Sequence, residues 1–271
     1  MLVAELLGAS VLIGAPPATG PSLHSPRSAV PAPAPLVVGD GRTVRLISLG
    51  GQSTDSLLTR IAGDIGAAVA AVETFWGTDW DSEIVVIATG SQPQFLAQAG
   101  LDPNGQWQDI AAVSVADHVD VVHRRASGQR IVFAPGAVTM SDQSLRIVLT
   151  HELFHLAARA DTAPDAPRWL LEGVADFVAR APEPLPPGAA ADTALPTDAD
   201  LDAAGPQRSH GYDRAWWFAR FVAERYGVDA LRRLYVEACG AGHGDFATAV
   251  RRALNIDVTE LRARWAQWLT G

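Results

Sequence analysis

The run His151-Glu152-Leu153-Phe154-His155, followed beyond a proline-containing break by Trp169-Leu170-Leu171-Glu172-Gly173-Val174-Ala175-Asp176, decides how this chain is read. On a helix, positions i and i+4 stand one above the other on the same face. His151 and His155 therefore present two imidazole nitrogens to one cation. Glu152 sits about 100° further round, where it reaches a water at that cation without binding the cation itself. Leu145, Leu149, Leu153 and Leu156 recur at helical spacing on the opposite face, so the back of this helix is expected to be core.

A catalytic zinc takes three protein ligands and keeps a further position open. Two histidines leave one ligand to find, and the chain offers two candidates. Asp161 stands at the spacing at which metzincin-type proteases place a third ligand, but the turn position that is glycine there is Ala158 here. A side chain at that turn disfavours the left-handed backbone it needs. The methionine turn that follows such sites is also missing, since Met1 and Met140 both precede the motif. Glu172 is the stronger candidate. Pro164 and Pro167 break the chain after the first helix, so a second helix can fold back on it, and Gly173 removes a side chain where the two helices approach. Asp176, one turn beyond Glu172, is placed to accept the free ring N–H of a ligand histidine, which fixes the tautomer and raises ligand basicity.

His151–His155 with Trp169-Leu-x-Glu172-Gly173-x-Ala175 resembles the gluzincin metalloproteases, and among them the peptidase MA-like family of bacterial proteins. Tyr212-Asp213-Arg214-Ala215-Trp216, running into Glu224-Arg225-Tyr226-Gly227, is similar to that family's next helix. The resemblance spans roughly residue 130 to the C-terminus. It implies a thermolysin-like fold, one Zn2+ per chain on His151, His155 and Glu172, and hydrolysis of peptide bonds with Glu152 as general base. It also implies a donor for the developing oxyanion, for which Tyr212 is the first choice and His210 the reserve. The acidic, proline-rich stretch 181–210 departs from the family pattern and is expected to be a mobile loop over the site or a disordered insertion.

Outward from the motif, residues 43–48, 83–88, 110–115, 119–123 and 130–134 read as strands, and 55–75 as a helix with the stripe Leu58, Ile61, Ile65, Val69, Val72. From 142 onward the pattern is helical: 142–160, 168–180, 212–226, 229–238, 244–254 and 257–269, with Asp257 and Glu260 as a capping box for the last. Strands first and helices second give an α+β fold: a small mixed sheet with a long helix, the active-site helix, then a mostly helical lobe. The expected organisation is a segment 1–36 and a metallopeptidase-like domain 37–271, divided into a sheet lobe 37–160 and a helical lobe 161–271. If 110–115 is the sheet edge above the cleft, it can hold an extended peptide by strand addition. Trp216 and Trp217 read as core.

The net charge of −9, with 21 basic residues that are all arginine and never clustered, argues against a nucleic-acid partner. One cysteine, Cys239, excludes an internal disulfide and a Cys-rich zinc site, and reads as a partly buried thiol at a helix end. His24, His118, His123 and His243 fall into no ligand pattern. Residues 2–14 form an apolar stretch too short to span a bilayer, followed by an Ala/Pro-rich spacer up to about Pro35. A signal-peptide core or the tail of a longer membrane anchor fits it, so an extracellular or cell-envelope location is expected. The expected partner is a peptide or protein substrate. The alternative reading is a catalytically silent gluzincin-fold envelope protein that binds or supports.

Overall fold

The structure, a computed structural model, describes residues 11–12, 36–105, 107 and 109–271. The apolar stretch 2–14, Val11 and Leu12 apart, and the spacer that follows it lie outside these residues. Eight strands are described: β1 (Val11–Leu12), β2 (Leu36–Val38), β3 (Arg42–Ser48), β4 (Glu83–Ala88), β5 (Ala112–Ala116), β6 (His118–Asp120), β7 (Arg125–Ser127) and β8 (Arg130–Phe133). Nine α-helices accompany them: α1 (Gln52–Trp76), α2 (Gln92–Ala99), α3 (Asp142–Ala158), α4 (Arg168–Ala179), α5 (Asp198–Leu201), α6 (Pro206–Tyr226), α7 (Val228–Cys239), α8 (Phe246–Leu254) and α9 (Val258–Thr270). The fold is mixed α+β, as expected.

The sheet runs β1-β5-β8-β4-β3-β2. β3, β4 and β8 are parallel to one another, while β5 is antiparallel to β8 and β2 antiparallel to β3. Strand β4 shows why the sheet is buried on both faces. Ile84, Val86 and Ala88 face one way, into the large core with α1 and α3, and Val85 and Ile87 face the other, against Phe95 and Ala99 of α2. A strand covered twice reads as a continuous apolar run rather than an alternation. The α1 stripe Leu58, Ile61, Ile65, Val69 and Val72 is buried throughout, and α1 packs along α3.

Several expectations need correction. Helix α2 was missed, although Ser91 caps it by accepting from the Gln94 amide, proline occupies its first turn, and Gly100 ends it in the left-handed conformation. Residues 119–123 do not continue as a strand. The chain turns back at 121–124, with Arg124 at φ +51°, and β6 pairs with β7 as a hairpin. Residue 110 lies outside β5, and β5 is not a free edge along its length, because Val11 and Leu12 pair with Val115 and Ala116. Helix α6 starts at Pro206 rather than 212, after Gly205 at φ +55°. Proline at the first helical position is pre-set for the helix and needs no N–H there.

The stretch 181–210 is the largest correction: it is built into the helical half instead of covering a cleft as a loose loop. Asp198 accepts the Trp169 amide at 2.8 Å, satisfying an orphan donor at the start of α4. Arg214, buried on α6, pairs with Asp192 at 2.8 Å and donates to the Ala194 carbonyl at 2.6 Å, and Trp265 of α9 donates to that same carbonyl. Leu201 and Ala189 are buried. The aspartates of this stretch are thus capping groups and counter-charges. Cys239 ends α7 and is fully buried, not partly so, and burial pushes its thiol well above the usual range. Trp216 and Trp217 are core.

Candidate metal centre

Helix α3 begins at Asp142, with Ser141 capping it through the Ser144 amide. Leu145, Leu149, Leu153 and Leu156 are buried as the spacing predicts, and so are His151, Glu152 and His155. The helix is enclosed on every side in its second half, because α4 packs across the histidine face. Gly173, expected at the contact between α3 and α4, faces α6 instead. A Cβ at this position would lie 2.4 Å from the Ala215 carbonyl oxygen of α6, so only glycine lets α4 sit this deep between α3 and α6.

Glu172, beside Gly173, then points between the two histidines. His151 Nε2 lies 3.1 Å from His155 Nε2 and 3.2 Å from Glu172 Oε2, and His155 Nε2 lies 3.6 Å from Glu172 Oε1. Among the described residues this is the one group of His, Cys, Asp and Glu side chains able to hold a metal ion, with all three donor atoms within 4.8 Å of one another. Asp161, the other candidate, is elsewhere. It closes the 3-10 turn after α3 and is gripped by the Arg124 guanidinium, whose Nη2 donates to it at 3.1 Å.

Asp176 takes up the place expected for it. Its Oδ1 accepts from His151 Nδ1 at 2.9 Å, which leaves Nε2 as the ring atom facing His155 and Glu172. Burial alone would discharge His151, but Asp176 and Glu172 outweigh it and hold the ring well above the ordinary histidine range. Burial works against the Glu172 charge too, yet His155 and His151 bring its carboxyl down to about 2. Burial keeps His155 below its usual range. Without metal these directions favour a protonated His151 between Asp176 and Glu172, so a cation binding there would displace a proton.

Glu152 is buried without a hydrogen-bond partner on Oε2, and burial raises its carboxyl to about 8. The backbone of Ser114 on β5 and the guanidinium of Arg159 both act in the opposite direction. Arg159 was not singled out in the sequence. It lies almost two helical turns beyond Glu152, is buried, and donates through Nη2 to the Ser114 carbonyl at 2.6 Å. Only its seven-residue spacing from Glu152 pointed to it; its burial is set by the fold.

Tyr212 lies in the second turn of α6, not at its start. Burial first, and then the Glu172 carboxylate, raise its phenol, so it stays a neutral donor. His210 is exposed, with its ring edge-on to Trp217 at 5.7 Å. Of the two oxyanion-donor candidates, Tyr212 is the one whose neighbours include the Glu172 field.

No family model, characterised protein or solved structure matches the chain.

Proposed function

We propose that this chain is a zinc-dependent metallopeptidase of the gluzincin type, with His151, His155 and Glu172 as ligands and Glu152 as general base. One observation carries the reading: the donor separations of 3.1, 3.2 and 3.6 Å. Zinc bonds of about 2.0–2.1 Å at the tetrahedral angle set donor atoms about 3.3 Å apart, which these contacts approach, with Glu172 Oε2 against His151 and Oε1 against His155. The donor set, two imidazoles and a carboxylate with no thiolate, suits a catalytic rather than a structural zinc.

When bound, zinc supplies Lewis-acid polarisation of the scissile carbonyl and an acidified water. The chain's own residues do the rest. Glu152 takes the proton of the attacking water and returns it to the leaving amine. The positive field of Arg159 favours the ionised form of Glu152 that this requires, against the burial that raises it. Tyr212 donates to the oxygen that gains charge. Asp176 keeps His151 in the tautomer that ligates. Peptide bonds as substrate, and a cell-envelope or extracellular location with an N-terminal anchor, rest on the family resemblance and the apolar N-terminus. No helix among the described residues is long and apolar enough to cross a membrane.

A second reading, a silent module that keeps its metal, draws on burial: the side chains of His151, His155 and Glu172 are each no more than 5 % exposed. Elemental analysis followed by a broad peptide-cleavage assay separates the two. The peptidase reading expects about one zinc per chain, cleavage abolished by chelation and restored by zinc, and no stoichiometric zinc in His155→Ala. Full zinc occupancy in His155→Ala would remove this site, and stoichiometric zinc without any cleavage would favour the silent module.

A further inference from the structure

The support of the metal site continues beyond Asp176. That carboxylate is 3 % exposed and uses Oδ1 on His151. Its other oxygen, Oδ2, lies 3.3 Å from Nη1 of Arg180, the residue that caps the C-terminus of α4. The same Nη1 donates to Asp213 Oδ1 of α6 at 3.1 Å. The guanidinium carbon stands 3.7 Å from the ring centroid of the buried Trp216 indole, which holds the cation between the C-terminal end of α4 and the middle of α6. Arg220 approaches the same indole at 5.3 Å but is turned to the Glu183 carbonyl and Glu224, so it does not share the Asp176 contact.

A buried carboxylate whose only other partner is an imidazole is poorly compensated. Arg180 provides the counter-charge, and its Nη1, shared between Asp176 and Asp213, fixes the direction in which Asp176 faces. We propose that Arg180 is a positioning residue of the metal site: held by Trp216 and Asp213, it sets Asp176 and through it His151 Nε2, so that metal affinity depends on a side chain that touches no ligand atom. This rests on the zinc reading above and extends it from the ligands to the joint between α4 and α6.

The test is a zinc competition titration with a chromophoric chelator on the full chain and on Arg180→Met, Arg180→Lys, Asp176→Asn and Arg180→Met/Asp176→Asn, with melting of each metal-free protein alongside. Loss of an outer partner of a metal ligand typically costs 10–100-fold in affinity. Arg180→Met is expected to weaken zinc binding by about 10-fold. Arg180→Lys, which keeps the charge but not the planar group against Trp216, should fall between it and the wild type. In the Asp176→Asn background the Arg180 change should add less than about twofold, because the group it orients is already altered. A merely structural arginine would lower the melting temperature, leave zinc affinity within about twofold, and act additively with Asp176→Asn; that result overturns the proposal. If Arg180→Met does not fold, Arg180→Lys at full wild-type affinity overturns it equally. A wild-type chain that takes up no zinc would remove the metal site and this inference together, whereas tight wild-type binding with unchanged Arg180 variants would remove only the inference.

Discussion

Gly173→Ala asks the most of the packing that creates the site. The new Cβ would meet the Ala215 carbonyl oxygen at 2.4 Å and the Ala215 Cβ at 3.2 Å. A carbon–oxygen contact settles at about 3.3–3.6 Å, so α4 and α6 must separate by about 1 Å. The partner is backbone inside a helix and cannot swing aside as a long side chain would. Overpacking of this kind costs about 1–3 kcal/mol, offset by about 1 kcal/mol because alanine is the better helix former. The net loss of stability is then about 0–2 kcal/mol, a fall of up to about 8 °C in melting temperature for a chain this long. The larger effect falls on Glu172, the adjacent residue. Metal–ligand distances hold to within about 0.2 Å, and a shift of even half the helix displacement exceeds that. Zinc affinity should drop by tenfold or more, about 1.4 kcal/mol. Melting of the metal-free protein and zinc titration of the same preparation read the two effects separately. A Gly173→Ala protein that melts no lower than the wild type and binds zinc with undiminished affinity would refute the close-approach argument.

Glu172→Ala should weaken zinc binding by more than about 100-fold, beyond what loss of an outer partner costs, while Asp161→Ala should leave it within about threefold; the reverse pattern in a titration would move the third ligand to Asp161. The metal-free chain should lose thermal stability as pH rises from about 6.5 to 8. His151 has its pKa raised well above the ordinary value, so above pH about 6.5 the unfolded chain releases a proton that the fold still holds, and Glu152, raised to about 8, likewise keeps its proton in the fold up to about pH 8 after the unfolded carboxyl has lost it. Glu172, lowered to about 2, costs stability only on the acid side, as pH falls below about 4.5. Zinc should abolish the alkaline loss, and melting curves flat from pH 6.5 to 8 without metal would contradict these assignments. Arg159→Met should destabilise the fold by about 3 kcal/mol, since it strands the buried Ser114 carbonyl and removes the cation facing Glu152. A wild-type denaturation midpoint in that variant would show that the guanidinium compensates nothing there.

The site was largely legible because its signals are local. Two histidines at i and i+4, a glutamate between them, a proline break and a glycine next to Glu172 each act over a few residues, and the structure brings His151, His155, Glu172 and Asp176 together. Strands β4 and β8 are legible from apolar runs and β3 from alternation. What escaped was short or nonlocal. Helix α2 is glutamine-rich and barely two turns long, so its caps are stronger signals than its periodicity. The stretch 181–210 reads as disordered from its prolines and acids, yet its order comes from partners far along the chain: Asp198 on the Trp169 amide, Arg214 on Asp192, Trp265 on the Ala194 carbonyl. Arg159 and Arg180 look like two arginines among many until the fold sets one against Glu152 and the other against Asp176.

The central claim is hydrolysis with Glu152 as the base, and the most direct measurement is the zinc content and peptide turnover of Glu152→Gln beside the wild type. The side chain is 1 % exposed and lies outside the ligand triad, so the amide should leave zinc occupancy and melting temperature unchanged. General acid–base participation is worth about 10²–10⁴-fold in rate, so kcat should fall by at least about two orders of magnitude. Wild-type turnover that persists undiminished in Glu152→Gln with zinc still bound would contradict the account.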